Sequence, residues 1–224
     1  MNPFQVVEDF ESALCEYTGA KYAVTTTSCT MALLLACRWH KEIEEQTLHI
    51  PTTITIPRYT YVGVPMSIMH AGFGVAFEDL SWRGAYKLDP LPVWDCARYL
   101  TSNLYSGFLV NEGGEELEWA TRDCSGEFLC VSFHHTKTLA ISTHGGAILH
   151  DNDEADEWFR MMRFDGRQQG VAPRDQKHWV HGYHAYMNPA TAAEGLQRLC
   201  VLPKHNDPLP NDDYVDLSTL EIFK

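Results

Sequence analysis

The stretch from Phe128 to Ala147, FLCVSFHHTKTLAISTHGGA, constrains this chain more than any other. Its first part, Phe128-Leu129-Cys130-Val131-Ser132-Phe133, is an apolar run with β-branched and aromatic residues, which predicts a buried strand. The run then breaks into polar His134, His135, Thr136 and Lys137. A lysine just past a buried strand sits where its ammonium can be partly desolvated, and desolvation lowers a lysine pKa and leaves a neutral amine available for a carbonyl. Ser132 lies five residues before that lysine, and Gly145-Gly146 lie eight residues after it. The plain alternative is a strand end carrying a solvated lysine.

The rest of the chain alternates strands with helices. Val6, Val7, Phe10, Ala13, Leu14 and Tyr17 recur at helical spacing, and Gly19 stops that helix. Lys21–Thr26 reads as a short strand running into Thr27-Ser28-Cys29-Thr30, and a largely apolar, hence buried, helix follows over 31–45. A strand, a hydroxyl-rich turn and a helix start make an anion site, since free amides and the hydroxyls of Ser28 and Thr30 converge there. A simple N-cap by Ser28 or Thr30 is the alternative. Thr52–Ile56 is a second strand closed by Pro57. Arg58 to Gly63, including Tyr61, leads into a helix over 64–70, and Phe73–Phe77 is a third strand. Pro92-Val93-Trp94-Asp95 places a carboxylate at a strand end, to pair with a cation or to cap the next turn.

Residues 103–126, with Glu112, Glu115, Glu116 and Glu118, read as a surface loop or hairpin. Gly146–His150 is a strand, 154–164 a helix capped by Asp151-Asn152-Asp153, and 188–202 a last amphipathic helix. Such alternation predicts a largely parallel sheet covered on both faces, with ligands at the carboxyl ends of its strands. The tail from Pro203 is rich in proline and aspartate and is expected to be extended or loosely attached.

Composition narrows the function classes. The net charge of −13 makes nucleic acid and anionic membrane poor partners, although local amides still bind a phosphate. The apolar stretches are too short to span a bilayer, and no basic region followed by an apolar core opens the chain. Seven scattered cysteines without a CxxC pair fit a reduced, cytoplasmic compartment and give zinc little support. His178, His181 and His184 are three apart, but Gly182 interrupts them and no helical pattern supports a metal site. A Ser132 pairing with His134 or His135 lacks a GxSxG elbow.

Taken together, FESALCEYTGAKYAV, TTTSCTMALLLA, IPRYTYVGVPMSIMHAGFGVAFEDL, WDCAR, VSFHHTKTLAISTHGGAILHDN, FRMMRFDG and HGYHAYMNPATAAEGLQRL resemble, in order, the DegT/StrS group of pyridoxal-phosphate sugar aminotransferases. The resemblance covers most of residues 5 to 200, and the SFHxxK segment with its GG partner is its most specific part. It implies an α/β fold of the aspartate-aminotransferase type (PLP fold type I): a three-layer α/β/α, mainly parallel large domain, with the small C-terminal domain largely absent. Residues 1–202 would form that domain and 203–224 an extended tail.

The resemblance also implies roles. Lys137 would be the Schiff-base lysine of pyridoxal 5'-phosphate and later the general base. Asp95 would pair with the ring nitrogen, so that the ring acts as an electron sink. Ser28, Cys29, Thr30, Met31 and Ser132 would hold the phosphate, Tyr61 would stack on the ring, and His134 would lie beside substrate or cofactor. Departures from the family pattern stand beside these matches. Cys29 replaces a glycine in the phosphate turn. Arg98 replaces a Gln or His near the phenolic oxygen. His184 stands where a neighbouring subunit contributes an Asn, and Asp165 stands at a family His. Between Asp79 and Asp95 a whole strand–helix unit is missing.

The function so implied is amino transfer, with glutamate as donor, to the keto sugar of a nucleotide-sugar, in a homodimer. The alternative is a shortened homologue with impaired catalysis, acting as a cofactor-binding or interaction scaffold.

Overall fold

A computed structural model describes residues 2–42, 51–111, 119–211 and 214–224, with the backbone alone at 108–111 and 119–122. The acidic residues Glu112 to Glu118 lie outside the described residues. The strands flanking them, β6 (Phe108–Asn111) and β7 (Trp119–Arg122), pair antiparallel as a hairpin.

The central sheet has five strands in the order β1 (Tyr22–Thr26), β9 (Gly146–His150), β8 (Phe128–Ser132), β5 (Val93–Asp95) and β4 (Tyr86–Lys87). β2 (Thr53–Pro57) and β3 (Gly74–Glu78) form a parallel pair, and Thr55 bridges antiparallel to Asp89, just past β4. The expected parallel character holds for direction, because β1, β2, β3, β5 and β8 all run one way. It does not hold for neighbour pairing in the central sheet, where only β5–β8 is parallel. The reason lies in the connections. Residues 133–145 join β8 to β9 without a helix, and a short turn joins β4 to β5, so each returning strand pairs antiparallel with its predecessor.

Period-2 alternation divides the core into two layers. Leu129, Val131, Ala147 and Leu149 face one side with Val7, Phe10 and Leu14 of α1 (Gln5–Thr18) and with Ala192 and Leu199 of α5 (Pro189–Val201). Phe128, Cys130 and Ile148 face the other side with Leu33 and Ala36 of α2 (Cys29–Glu42), Ile68 of α3 (Gly63–His70) and Phe159 of α4 (Asp153–Arg163). Helices therefore cover both faces of the sheet. α1 ends as its sequence predicts, with Gly19 at a φ of 78° donating its amide to Cys15. Asn152 caps α4 and Asn188 caps α5, each accepting a first-turn amide on its side chain.

One buried ion network ties α1, β1 and α4 together. Glu11, 4% exposed, accepts from the Thr25 amide at 2.9 Å, the Thr25 hydroxyl at 2.7 Å, Arg160 at 2.7 Å, and Arg163. Arg163 also donates to the Thr25 carbonyl at 2.6 Å. Burial alone would raise the Glu11 carboxyl, but the charges of Arg163 and Arg160 overcome it and hold its pKa at about 2.

The tail corrects the expectation of loose attachment. It is extended, with short 3-10 turns at Leu217–Thr219 and Glu221–Phe223, but it is fastened along its length. The Lys204 carbonyl accepts from the Ser102 amide at 2.8 Å, and the Leu209 amide donates to the Arg98 carbonyl at 2.9 Å. Pro208 fills the space where a Cβ on Gly84 would stand, Leu217 is fully buried, and Phe223 meets Phe77 edge-on. Proline and aspartate content does not reveal these anchors, because they are backbone hydrogen bonds and single apolar side chains that follow no local period. Between Glu78 and Val93 the described chain holds only the two-residue strand β4.

Candidate functional site

A cavity of about 590 Å³ opens at the carboxyl ends of β1, β5 and β8. Ser28, Cys29, Thr30, Tyr61, Asp95, Arg98, Ser132, His134 and Lys137 all line it. These come from four separate segments, and only the topology brings them together. Gly145, Thr60, Trp82, Thr136, His144 and Tyr214 complete much of the wall.

The anion site begins where β1 ends. The Ser28 hydroxyl accepts the Met31 amide at 3.1 Å, so the capping alternative is realised too. The first α-helical bond runs from the Ala32 amide to the Ser28 carbonyl, and the amides of Cys29 and Thr30 precede it, as first-turn donors do. Met31 corrects the expected phosphate set: it does not line the cavity, and its amide is spent on the cap. The Cys29 thiol turns inward, 3.5 Å from the Cys130 carbonyl, so its bulk is directed away from an anion at the helix start. Gly146 is required by close packing here, since a Cβ on it would stand 2.4 Å from the Cys29 nitrogen.

Asp95 ends β5 and is 5% exposed. Its Oδ1 accepts the Ala97 amide at 2.9 Å and its Oδ2 accepts the Tyr86 hydroxyl at 2.9 Å. The Tyr86 oxygen also lies 2.6 Å from the Thr60 hydroxyl. Burial raises the Asp95 carboxyl, and the two hydrogen bonds and the charges of Lys137 and Arg98 only partly pull it back. Lys137 is half-buried in the turn after β8, where its amide bonds the His134 carbonyl at 2.8 Å. His134 lies 3.0 Å from the Thr136 hydroxyl through Nδ1; burial, with the charges of His135, Lys137 and His144, lowers its pKa. Tyr61 is 57% exposed at the mouth and folds its ring over Gly63, where a Cβ would meet it at 2.5 Å.

His184 is not part of this cavity. It pairs antiparallel with Phe164 and lies 3.0 Å from Asp165. Among the described residues, no His, Cys, Asp and Glu group is placed to hold a metal.

Three functional neighbours escaped sequence reasoning. Tyr86 sits on a two-residue strand, too short for periodicity. Trp82 and Tyr214 stack at 6.1 Å and 22° across 132 residues of chain, in segments that read as irregular. The only local signal was the concentration of aromatic residues in the segment Trp82–Tyr86.

The α/β sheet with helices on both faces has the fold of the fold-type-I aminotransferases. Residues 2–93 and 123–207 match the model of the DegT/DnrJ/EryC1/StrS aminotransferase family, and the chain belongs to that family. It is similar to the spore coat polysaccharide biosynthesis protein SpsC of Bacillus subtilis (strain 168), with 26% identity over 225 residues covering 86% of this chain and 56% of that protein. Among solved structures, it is similar to PseC of Helicobacter pylori, an aminotransferase involved in the biosynthesis of pseudoaminic acid, at 19% identity and a TM-score of 0.62, covering 89% of this chain and 62% of that one. NtdA of Bacillus subtilis, solved with bound cofactor PMP, gives 17% identity and a TM-score of 0.61 over 88% of this chain and 48% of that one. The chain thus spans about half to three-fifths of the length of these relatives. The structural likenesses establish the fold. No helix among the described residues is long and apolar enough to cross a membrane.

Proposed function

We propose that the chain binds pyridoxal 5'-phosphate at Lys137 and transfers an amino group, with glutamate as donor, to the keto sugar of a nucleotide-sugar. The observation that carries this reading is one cavity that holds Lys137, a buried carboxylate and an open helix start together. That donor set fits the cofactor. The α2 amides, with the hydroxyls of Ser28, Thr30 and Ser132, suit a phosphate, and the Gly146 contact lets the turn lie close. A buried Asp95 whose carboxyl is raised lacks a full countercharge, which a protonated ring nitrogen would supply.

When bound, the cofactor supplies an electron sink for a carbanion next to nitrogen. The chain's own groups do the rest. Asp95 would accept the ring N–H, Tyr61 would cover the ring face from the mouth, and Arg98 would stand toward the phenolic oxygen. The Lys137 amine would take and return the substrate proton, with His134 on the same cavity wall. His184 sits outside its own cavity, which supports a homodimer in which it reaches the site of a second copy. The amino donor and the sugar acceptor would use the same cavity in turn.

The test is an absorbance spectrum of the protein with added pyridoxal phosphate, before and after borohydride, followed by peptide mapping and turnover of keto sugar with glutamate. A visible band, a reduced adduct on Lys137 and turnover are the expected results. An adduct without turnover favours the scaffold reading, and no band with no adduct overturns the proposal.

A further inference from the structure

We propose that Tyr86, held by Thr60, is a positioning residue that fixes the Asp95 carboxylate and keeps it ionised for a cation in the cavity. This rests on the reading above only for the identity of that cation. The geometry forms a directed chain. The Tyr86 hydroxyl donates its one proton to Asp95 Oδ2 at 2.9 Å, so Thr60, 2.6 Å from the Tyr86 oxygen, must donate to it. The Ala97 amide fixes Oδ1, and each carboxylate oxygen keeps a further lone pair. The Tyr86 ring cannot swing away, because Trp82 packs on it edge-on at 4.7 Å and donates its own indole N–H to the Tyr59 carbonyl at 2.9 Å.

The groups around Asp95 leave few others for this task. Cys29 of α2, Cys96 just after β5 and Cys130 of β8 face it, and burial pushes all three thiols up, so they stay neutral. Tyr86 is itself pushed up by burial and by Asp95, so it remains a donor. Lys137 and Arg98 are the cations that act on the carboxylate, and both face the cavity, where a bound anion would compete for them. Tyr86 is 2% exposed and has no such competitor.

The experiment uses the cofactor-free protein labelled with carboxyl-13C aspartate and follows the Asp95 resonance, assigned with Asp95→Asn, against pH. Tyr86→Phe is expected to raise the Asp95 midpoint by about one unit, a tenfold change in proton affinity. Thr60→Val, which keeps the tyrosine in place, is expected to raise it by less. The Kd for pyridoxal phosphate at neutral pH should weaken in the same order. A midpoint that Tyr86→Phe and Thr60→Val both leave unmoved, in proteins that keep the wild-type near-UV spectrum, overturns the proposal. If the wild type binds no pyridoxal phosphate, the functional reading falls while the carboxyl titration still decides the role of Tyr86.

Discussion

Glu11 and Asp95 are both buried carboxylates, and their surroundings treat them in opposite ways. Glu11 is met by two guanidinium groups and two donors of Thr25, and its pKa falls to about 2. Asp95 is met by an amide and a phenol, and its pKa rises. The first is a finished ion pair that fixes α4 against β1. The second is a buried carboxylate without a guanidinium partner of that kind, beside a cavity. Depth of burial does not separate a structural carboxylate from a functional one; the charge of its partners and the presence of open space do.

Removing the Glu11 charge tests the finished side. Glu11→Gln leaves Arg163, 1% exposed, without its buried countercharge, and should cost about 3–5 kcal/mol of stability. Urea unfolding would read this directly, and a loss under about 1 kcal/mol would mean that solvent or Thr25 replaces the carboxylate. The same exchange at Asp95 should do the reverse. Asp95→Asn is expected to leave stability at pH 7 unchanged or slightly raised, while affinity for pyridoxal phosphate falls about a hundredfold, the scale of a strong charge-assisted bond. Unfolding midpoints and spectroscopic binding titrations would separate the two effects.

Acid should split the pair again. The folded pKa of Glu11 is depressed from 4.5, so its contribution is present above 4.5 and is lost as pH falls toward about 2. That contribution is about 3 kcal/mol. The folded pKa of Asp95 is raised from 3.8, so its contribution is fully present below 3.8 and is lost as pH rises through the raised value. Stability measured from pH 7 to pH 2 in Glu11→Gln should therefore lose much of the steep acid limb, whereas in Asp95→Asn that limb should remain. The smallest effect is expected at Arg160, whose side chain is 35% exposed. Arg160→Gln should cost about 1 kcal/mol, because water screens a charge at the rim. A loss as large as that of Glu11→Gln would make the network a single cooperative unit.

The two regions also differed in how much could be read from sequence. Lys137 and Asp95 were legible because one follows and the other ends a strand whose apolar pattern is local, and Ser28 because a helix start announces itself within four residues. Glu11 and Arg163 were not paired in advance. Each sits in an amphipathic helix where a charge ordinarily faces water, and 152 residues separate them. The antiparallel pairing of β9 was hidden for a related reason: a parallel and an antiparallel buried strand carry the same apolar run. Tyr86, Trp82 and Tyr214 could be recognised only once the tail had been placed, since nothing in their own segments repeats.

The position of Tyr214 in the cavity wall has a consequence for synthesis of the protein. Ser28 and Tyr214 line the same space from opposite parts of the chain. At about 5–20 residues per second, Ser28 leaves the ribosome roughly ten to forty seconds before Tyr214. The phosphate turn, Asp95 and Lys137 must therefore be made and kept soluble while one wall is still unmade. A ligand that needs the whole cavity can act on this fold only after translation has passed the tail.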